Sequence, residues 1–135
     1  MTRYKYLTVA LIVGFALSAG AQNLSSEVKN VEWVGFRQYQ EVSRVFVRTT
    51  EPVKYRIDRS RPNVVELILE NTSVSLKNNL RHLDTRHFQS PVILVQPKLV
   101  EGPSPSVHIE IHLRNEVPYK EVQTDNTLSL DFQRN

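Results

Sequence analysis

The chain has 135 residues, 23% of them charged and 40% hydrophobic, which is one domain's worth of sequence. It has no Cys, and only Gly35 and Gly102 lie beyond residue 21. Disulfide staples, thiolate metal sites, thiol catalysis and glycine-rich phosphate loops are therefore excluded. The formal charge of +3 shrinks to 15 basic residues against 14 acidic once Arg3 and Lys5 are set aside, too even a balance to attract nucleic acid.

Residues 1–21 read as an export signal. Arg3 and Lys5 supply the basic start, Leu7 to Ala19 is an uncharged and mostly apolar run, and Ala19-Gly20-Ala21 is a small-x-small cleavage site. Thirteen residues of helix rise only ~20 Å, short of the ~30 Å hydrocarbon core, so cleavage should leave no stable membrane anchor. Residues 22–30 are polar and lack an apolar period, as expected of a flexible leader. The folded domain is expected over 31–135, with its stability drawn from an apolar core.

From there the pattern has period two, the mark of half-buried strands. Val45 and Val47 alternate with Arg44, Phe46 and Arg48, and Val53, Tyr55 and Ile57 with Lys54, Arg56 and Asp58. Val65, Leu67 and Leu69 alternate with Glu66, Ile68 and Glu70. Further on, Val107, Ile109, Ile111 and Leu113 alternate with His108, Glu110, His112 and Arg114, and Leu128, Leu130 and Phe132 with Ser129 and Asp131. Turn residues separate these runs at Glu51-Pro52, Ser60 to Asn63, Gly102 to Pro105 and Thr124 to Asn126. No segment keeps a helical spacing over three turns, so the domain is all-β.

The pattern also repeats. Val45, Val47, Val53 and Tyr55 recur 64 positions later as Ile109, Ile111, Val117 and Tyr119; Val65, Leu67 and Leu69 recur 63 positions later as Leu128, Leu130 and Phe132. A small sheet with one apolar face cannot bury that face alone, so the expectation is a β-sandwich of two similar, internally repeated small sheets. Val45, Val47, Val65, Leu67, Ile109, Ile111, Leu128 and Leu130 should lie inside. Trp33 and Phe36 before the first half, and Val92, Leu94 and Leu99 before the second, should each add an outer strand.

The opening Val31-Glu32-Trp33-Val34 is followed by Ser43 to Arg48, Pro52-Val53-Lys54-Tyr55, Pro62 to Leu67, Val107 to Leu113 and Tyr119. In this order the chain resembles the AMIN domain family from about Val31 to Phe132. It departs at the third strand, where Asn63 and Glu66 stand near the positions of the family's Arg and Asp. The resemblance implies a non-catalytic periplasmic module directed at peptidoglycan, of the kind that precedes cell-wall amidases and type IV pilus secretins. The alternative is a structural accessory subunit docking onto a type IV pilus or secretion-system secretin, or onto another envelope complex. Neither kind of host domain accompanies the module in this sequence, so contact with such machinery is expected to be non-covalent.

Between Arg37 and Arg61 seven basic residues face three acidic ones. Strand alternation puts Arg44 and Arg48 on one sheet face, and Arg56 is expected to continue it on the next strand. Guanidinium forks suit the carboxylates of wall peptides, and Tyr55 or Tyr119 could add an amphipathic ring at the margin. These five are the candidate ligand-binding residues. His108 and His112 begin ~13 Å apart on one strand, too far for one ion, so no metal is expected. His82, Asp84, His87 and Ser90 lack the nucleophile elbow and oxyanion glycines of a hydrolase, so neither catalysis nor a cofactor is expected.

Overall fold

The computed structural model describes residues 27–134. The expected export signal and most of the expected leader lie outside the described residues. Among the described residues ten strands follow one another: β1 (Lys29–Gln38), β2 (Val42–Thr49), β3 (Tyr55–Asp58), β4 (Val64–Leu69), β5 (Thr72–Ser73), β6 (Leu83–Asp84), β7 (Val92–Val100), β8 (Ser106–Leu113), β9 (Tyr119–Thr124) and β10 (Thr127–Gln133). A short 3-10 helix, Lys77–Leu80, lies between β5 and β6. The leader gives way two residues earlier than expected. Lys29 and Asn30 already pair with Thr72 and Ser73, and the Lys29 amide donates to Asn71 O.

Two five-stranded sheets form the sandwich. Sheet I has the order β5-β1-β2-β10-β9 and sheet II the order β3-β4-β8-β7-β6. All eight residues expected inside are buried, at 2% exposure or less. They join Val31, Val34, Leu69, Val92, Val95 and Phe132 in a core dominated by Val, whose β-branched side chain suits a pleated, two-sided interior.

The repeat is present in three dimensions, with β1 to β4 corresponding to β7 to β10. Val45 faces Leu130 across β2 and β10, and the repeat-related residues Ile109 and Leu67 face each other across β8 and β4. Each outer strand carries a bulge at the same place, Val31/Trp33 in β1 and Val92/Leu94 in β7. The extra residue lets Val31 and Val34, and equally Val92 and Val95, all point inward. It also turns Trp33 to the solvent face, where it is 41% exposed.

The repeats do not each build one sheet, however. β1 and β2 stay in sheet I while β3 and β4 cross into sheet II; β7 and β8 stay in sheet II while β9 and β10 cross into sheet I. The crossings fall at Thr50–Lys54 and Arg114–Pro118, each containing a proline that cannot donate to a ladder. Equivalent hydrogen bonds tie both corners: the Thr49 amide donates to Asn126 O and the Leu113 amide to Asn63 O, at 2.9 and 2.8 Å. Asn63 and Asp125 take left-handed φ of 59° and 54° in the hairpin turns, a conformation these short polar residues tolerate.

Candidate functional site

On the outer face of sheet I, β2 presents Arg44, Phe46 and Arg48, and β1 presents Trp33, Gly35 and Arg37 opposite them. Arg44 does not offer a free guanidinium. It makes a bidentate pair with Asp131 of β10, at 2.7 and 2.9 Å, and stacks over the Tyr39 ring at 5.0 Å. That pair offsets the repulsion from Arg37, which lies directly across the ladder, and raises the Arg44 pKa further. Arg48 is looser, 3.4 Å from Glu32 and 59% exposed.

Arg56 does not continue this face. The chain crosses at Pro52, so Arg56 lies on β3 in sheet II, 3.7 Å from Glu70. Tyr55 and Tyr119 instead close the seam between the edge strands of the two sheets. The Tyr55 hydroxyl donates to Glu121 of β9 at 2.8 Å, and burial with that partner pushes its phenol pKa up. Tyr119 packs on Phe132 at 5.3 Å and carries Arg59 over its ring at 5.5 Å. Of the five candidates, only Arg44 and Arg48 share the sheet I face, while Tyr55 and Tyr119 meet at the seam and Arg56 lies on sheet II.

Other residues complete the face. Arg81, from the connection between the repeats, stacks on Trp33 at 4.4 Å and donates to Val34 O at 3.0 Å. Arg37 lies 5.9 Å from the Phe46 ring centroid. Phe46 in turn covers Gly35, where an added Cβ would fall 2.8 Å from Cε1 and 3.0 Å from Cε2 of the ring. Glycine is needed here for close approach. Gly35→Ala is expected to lift Phe46 off the sheet and cost about 1–2 kcal/mol in urea unfolding. A groove of about 480 Å³ runs along this margin, lined by Trp33, Phe36, Phe46, Arg81 and Phe88 among others.

A larger depression of about 650 Å³ lies at one end of the sandwich, near Tyr119, Lys120 and Arg134. Arg134 there is held by the carbonyls of Tyr39, Gln40 and Gln89. This depression has charged walls but one aromatic ring, Tyr119, already stacked under Arg59.

The outer face of sheet II is a charge ladder. His108 Nδ1 lies 2.9 Å from Glu66, and His112 Nε2 3.2 Å from Glu110. Glu110 also meets Lys98 at 2.9 Å and Arg61 at 3.0 Å. The hydrogen bond from Lys98, helped by His112 and Arg61, outweighs burial and lowers the Glu110 carboxyl from 4.5 to about 2. A carboxyl depressed on folding stabilises the fold above its unfolded pKa. Stability of about 1–3 kcal/mol should therefore be lost as pH falls from 4.5 towards 2. Urea unfolding across that range checks this, with Glu110→Gln expected to flatten the acid limb.

Ser90 is buried at 6% exposure. Its hydroxyl donates to Ser43 Oγ at 2.7 Å and accepts from the Val92 amide at 3.0 Å. Asp84 pairs with Arg86 at 2.8 and 2.9 Å.

Compared with protein-family models, curated proteins and solved structures, the chain matches none. Its fold and surface define an all-β sandwich of interleaved repeats with an arginine–aromatic face on one sheet.

Proposed function

We propose that this protein is a non-catalytic periplasmic binding module, exported by its N-terminal signal, whose sheet I face lies against peptidoglycan. The observation that supports this most is the row of three arginine–aromatic stacks, Arg81/Trp33, Arg37/Phe46 and Arg44/Tyr39. Such a row suits an extended polymer better than a small molecule, which would need an enclosed apolar pocket. Aromatic rings offer amphipathic contact area to a glycan, and the exposed guanidinium groups of Arg37 and Arg48 on the same face offer forked donors to the carboxylates of its peptides.

Single contacts of this kind are weak. An exposed charge-assisted contact is worth about 1 kcal/mol or less, so a few of them give roughly millimolar binding at best. Many modules on one sacculus gain retention through multivalency. The electrostatic part is screened beyond ~10 Å at 0.1 M salt. Co-sedimentation with purified sacculi tests the reading. The protein should pellet at low salt and be released progressively as salt rises; protein left in the supernatant at low salt contradicts it.

A further inference from the structure

Both outer strands are covered by only a two-residue strand, β1 by β5 and β7 by β6, but the two open edges differ in chemistry. β5 covers β1 only at Lys29 and Asn30, so among the described residues no strand pairs with that side of β1 from Val31 to Gln38. Two side chains reach in instead: Asn79 Nδ2 donates to Val31 O at 3.2 Å, and Arg81 donates to Val34 O. Val34 therefore turns its carbonyl to the open side, and strand alternation turns the N–H and C=O of Phe36 the same way. The repeat gives a second argument. Phe36 faces Val45 across the ladder, and the equivalent pair in sheet II is Pro97 facing Ile109. A proline blunts the β7 edge because it has no N–H to offer an incoming strand. At the same position β1 keeps a donor.

The groove beside this edge is cationic and apolar together. Arg37 and Arg81 lie on the Phe46 and Trp33 rings, and among the described residues neither is paired with a carboxylate. The one carboxylate in the groove lining, Asp84, is held by Arg86. Phe88, 48% exposed, tilts against Phe36 at 5.4 Å and forms the far wall. Among the described residues, the chemistry on offer is thus a strand edge with an unpaired donor and acceptor, apolar rings, and two guanidinium groups lacking a counter-charge.

We infer that an extended, acidic segment of a partner protein docks here as an added strand, its backbone on β1 at Phe36 and its carboxylates on Arg37 and Arg81. Backbone pairing would supply affinity, and the two arginines would select acidic over neutral or basic sequences. This interaction goes beyond wall binding and does not depend on it.

Trp33 is the only tryptophan of the chain and stands at the groove, so its fluorescence reports occupancy. The probe is an octapeptide alternating valine and glutamate, compared with versions carrying glutamine in place of glutamate or N-methyl groups on alternate amides. The acidic peptide should shift Trp33 emission saturably. The glutamine version should bind at least tenfold more weakly, and the N-methylated version should not bind. Arg37→Ala, which among the described residues removes only the Phe46 stack, should weaken binding tenfold; Phe36→Pro, which copies Pro97, should abolish it in protein whose thermal melt remains cooperative. No saturable shift at millimolar acidic peptide, equal binding of the glutamine or N-methylated versions, or wild-type affinity in Arg37→Ala each overturns the inference. Sacculus pelleting in parallel keeps its failure separate from failure of the wall reading.

Discussion

Phe132→Ala is expected to lower the unfolding free energy by about 3–5 kcal/mol, a large part of the stability of a domain this size. Phe132 is fully buried on β10, between Ser43 of β2 and Tyr119 of β9, and its ring packs against Tyr119. Truncation removes the transfer free energy of the ring and leaves a cavity that the ladders on both sides prevent from closing. Its repeat counterpart Leu69 is equally buried, and Leu69→Ala should cost about 2–5 kcal/mol for the same reason. Phe88, exposed on the groove wall, provides the contrast, since Phe88→Ala leaves no sealed cavity. Urea unfolding measures all three. A loss below about 1 kcal/mol for Phe132→Ala would mean that this end of the core is not packed as described.

The second large effect concerns the way the repeats are joined. Residues 27–75 and 76–134, made as separate chains, are expected to be unfolded as monomers. The central ladder of sheet I is β2 with β10 and that of sheet II is β4 with β8, so each joins one repeat to the other. A lone repeat keeps two hairpins but loses both central ladders, and its apolar faces have nothing to cover them. Isolated hairpins are marginal in water. Mixing the two chains should restore β-structure in a concentration-dependent way, because the missing ladders re-form between them. Far-UV circular dichroism and sedimentation test this. A repeat that unfolds cooperatively as a monomer contradicts the interleaved arrangement.

Much of the fold could be read from the sequence, because alternation states which residues face inward. Val45, Val47, Val65, Leu67, Ile109, Ile111, Leu128 and Leu130 follow the strict pattern and are all buried. Alternation does not name a strand's neighbour. Nothing local in Glu51-Pro52 indicates that the chain leaves one sheet for the other there, so Arg56 was expected beside Arg48 and lies on the opposite sheet.

The site was less legible, since it depends on contacts distant in sequence. Asp131 neutralises Arg44 from 87 residues away. Arg81 and Phe88 belong to a connection whose composition suggests only turns, and no sequence signal places them beside β1. The outward turn of Trp33 comes from a bulge, which alternation cannot anticipate. One signal was readable: Val31 and Val34 are three apart, a spacing a regular strand cannot bury on one side.

The central claim is that the sheet I face, and not the sheet II face, holds the protein at the wall. The most direct measurement is sacculus pelleting at low salt of wild type, the Trp33→Ala/Arg48→Ala double variant, and Arg56→Ala on the opposite sheet. All three should fold, since these side chains are exposed and their ion pairs are loose. The account predicts that the double variant stays largely in the supernatant while Arg56→Ala pellets like wild type. Wild-type pelleting by the double variant, or release of Arg56→Ala alone, would contradict it.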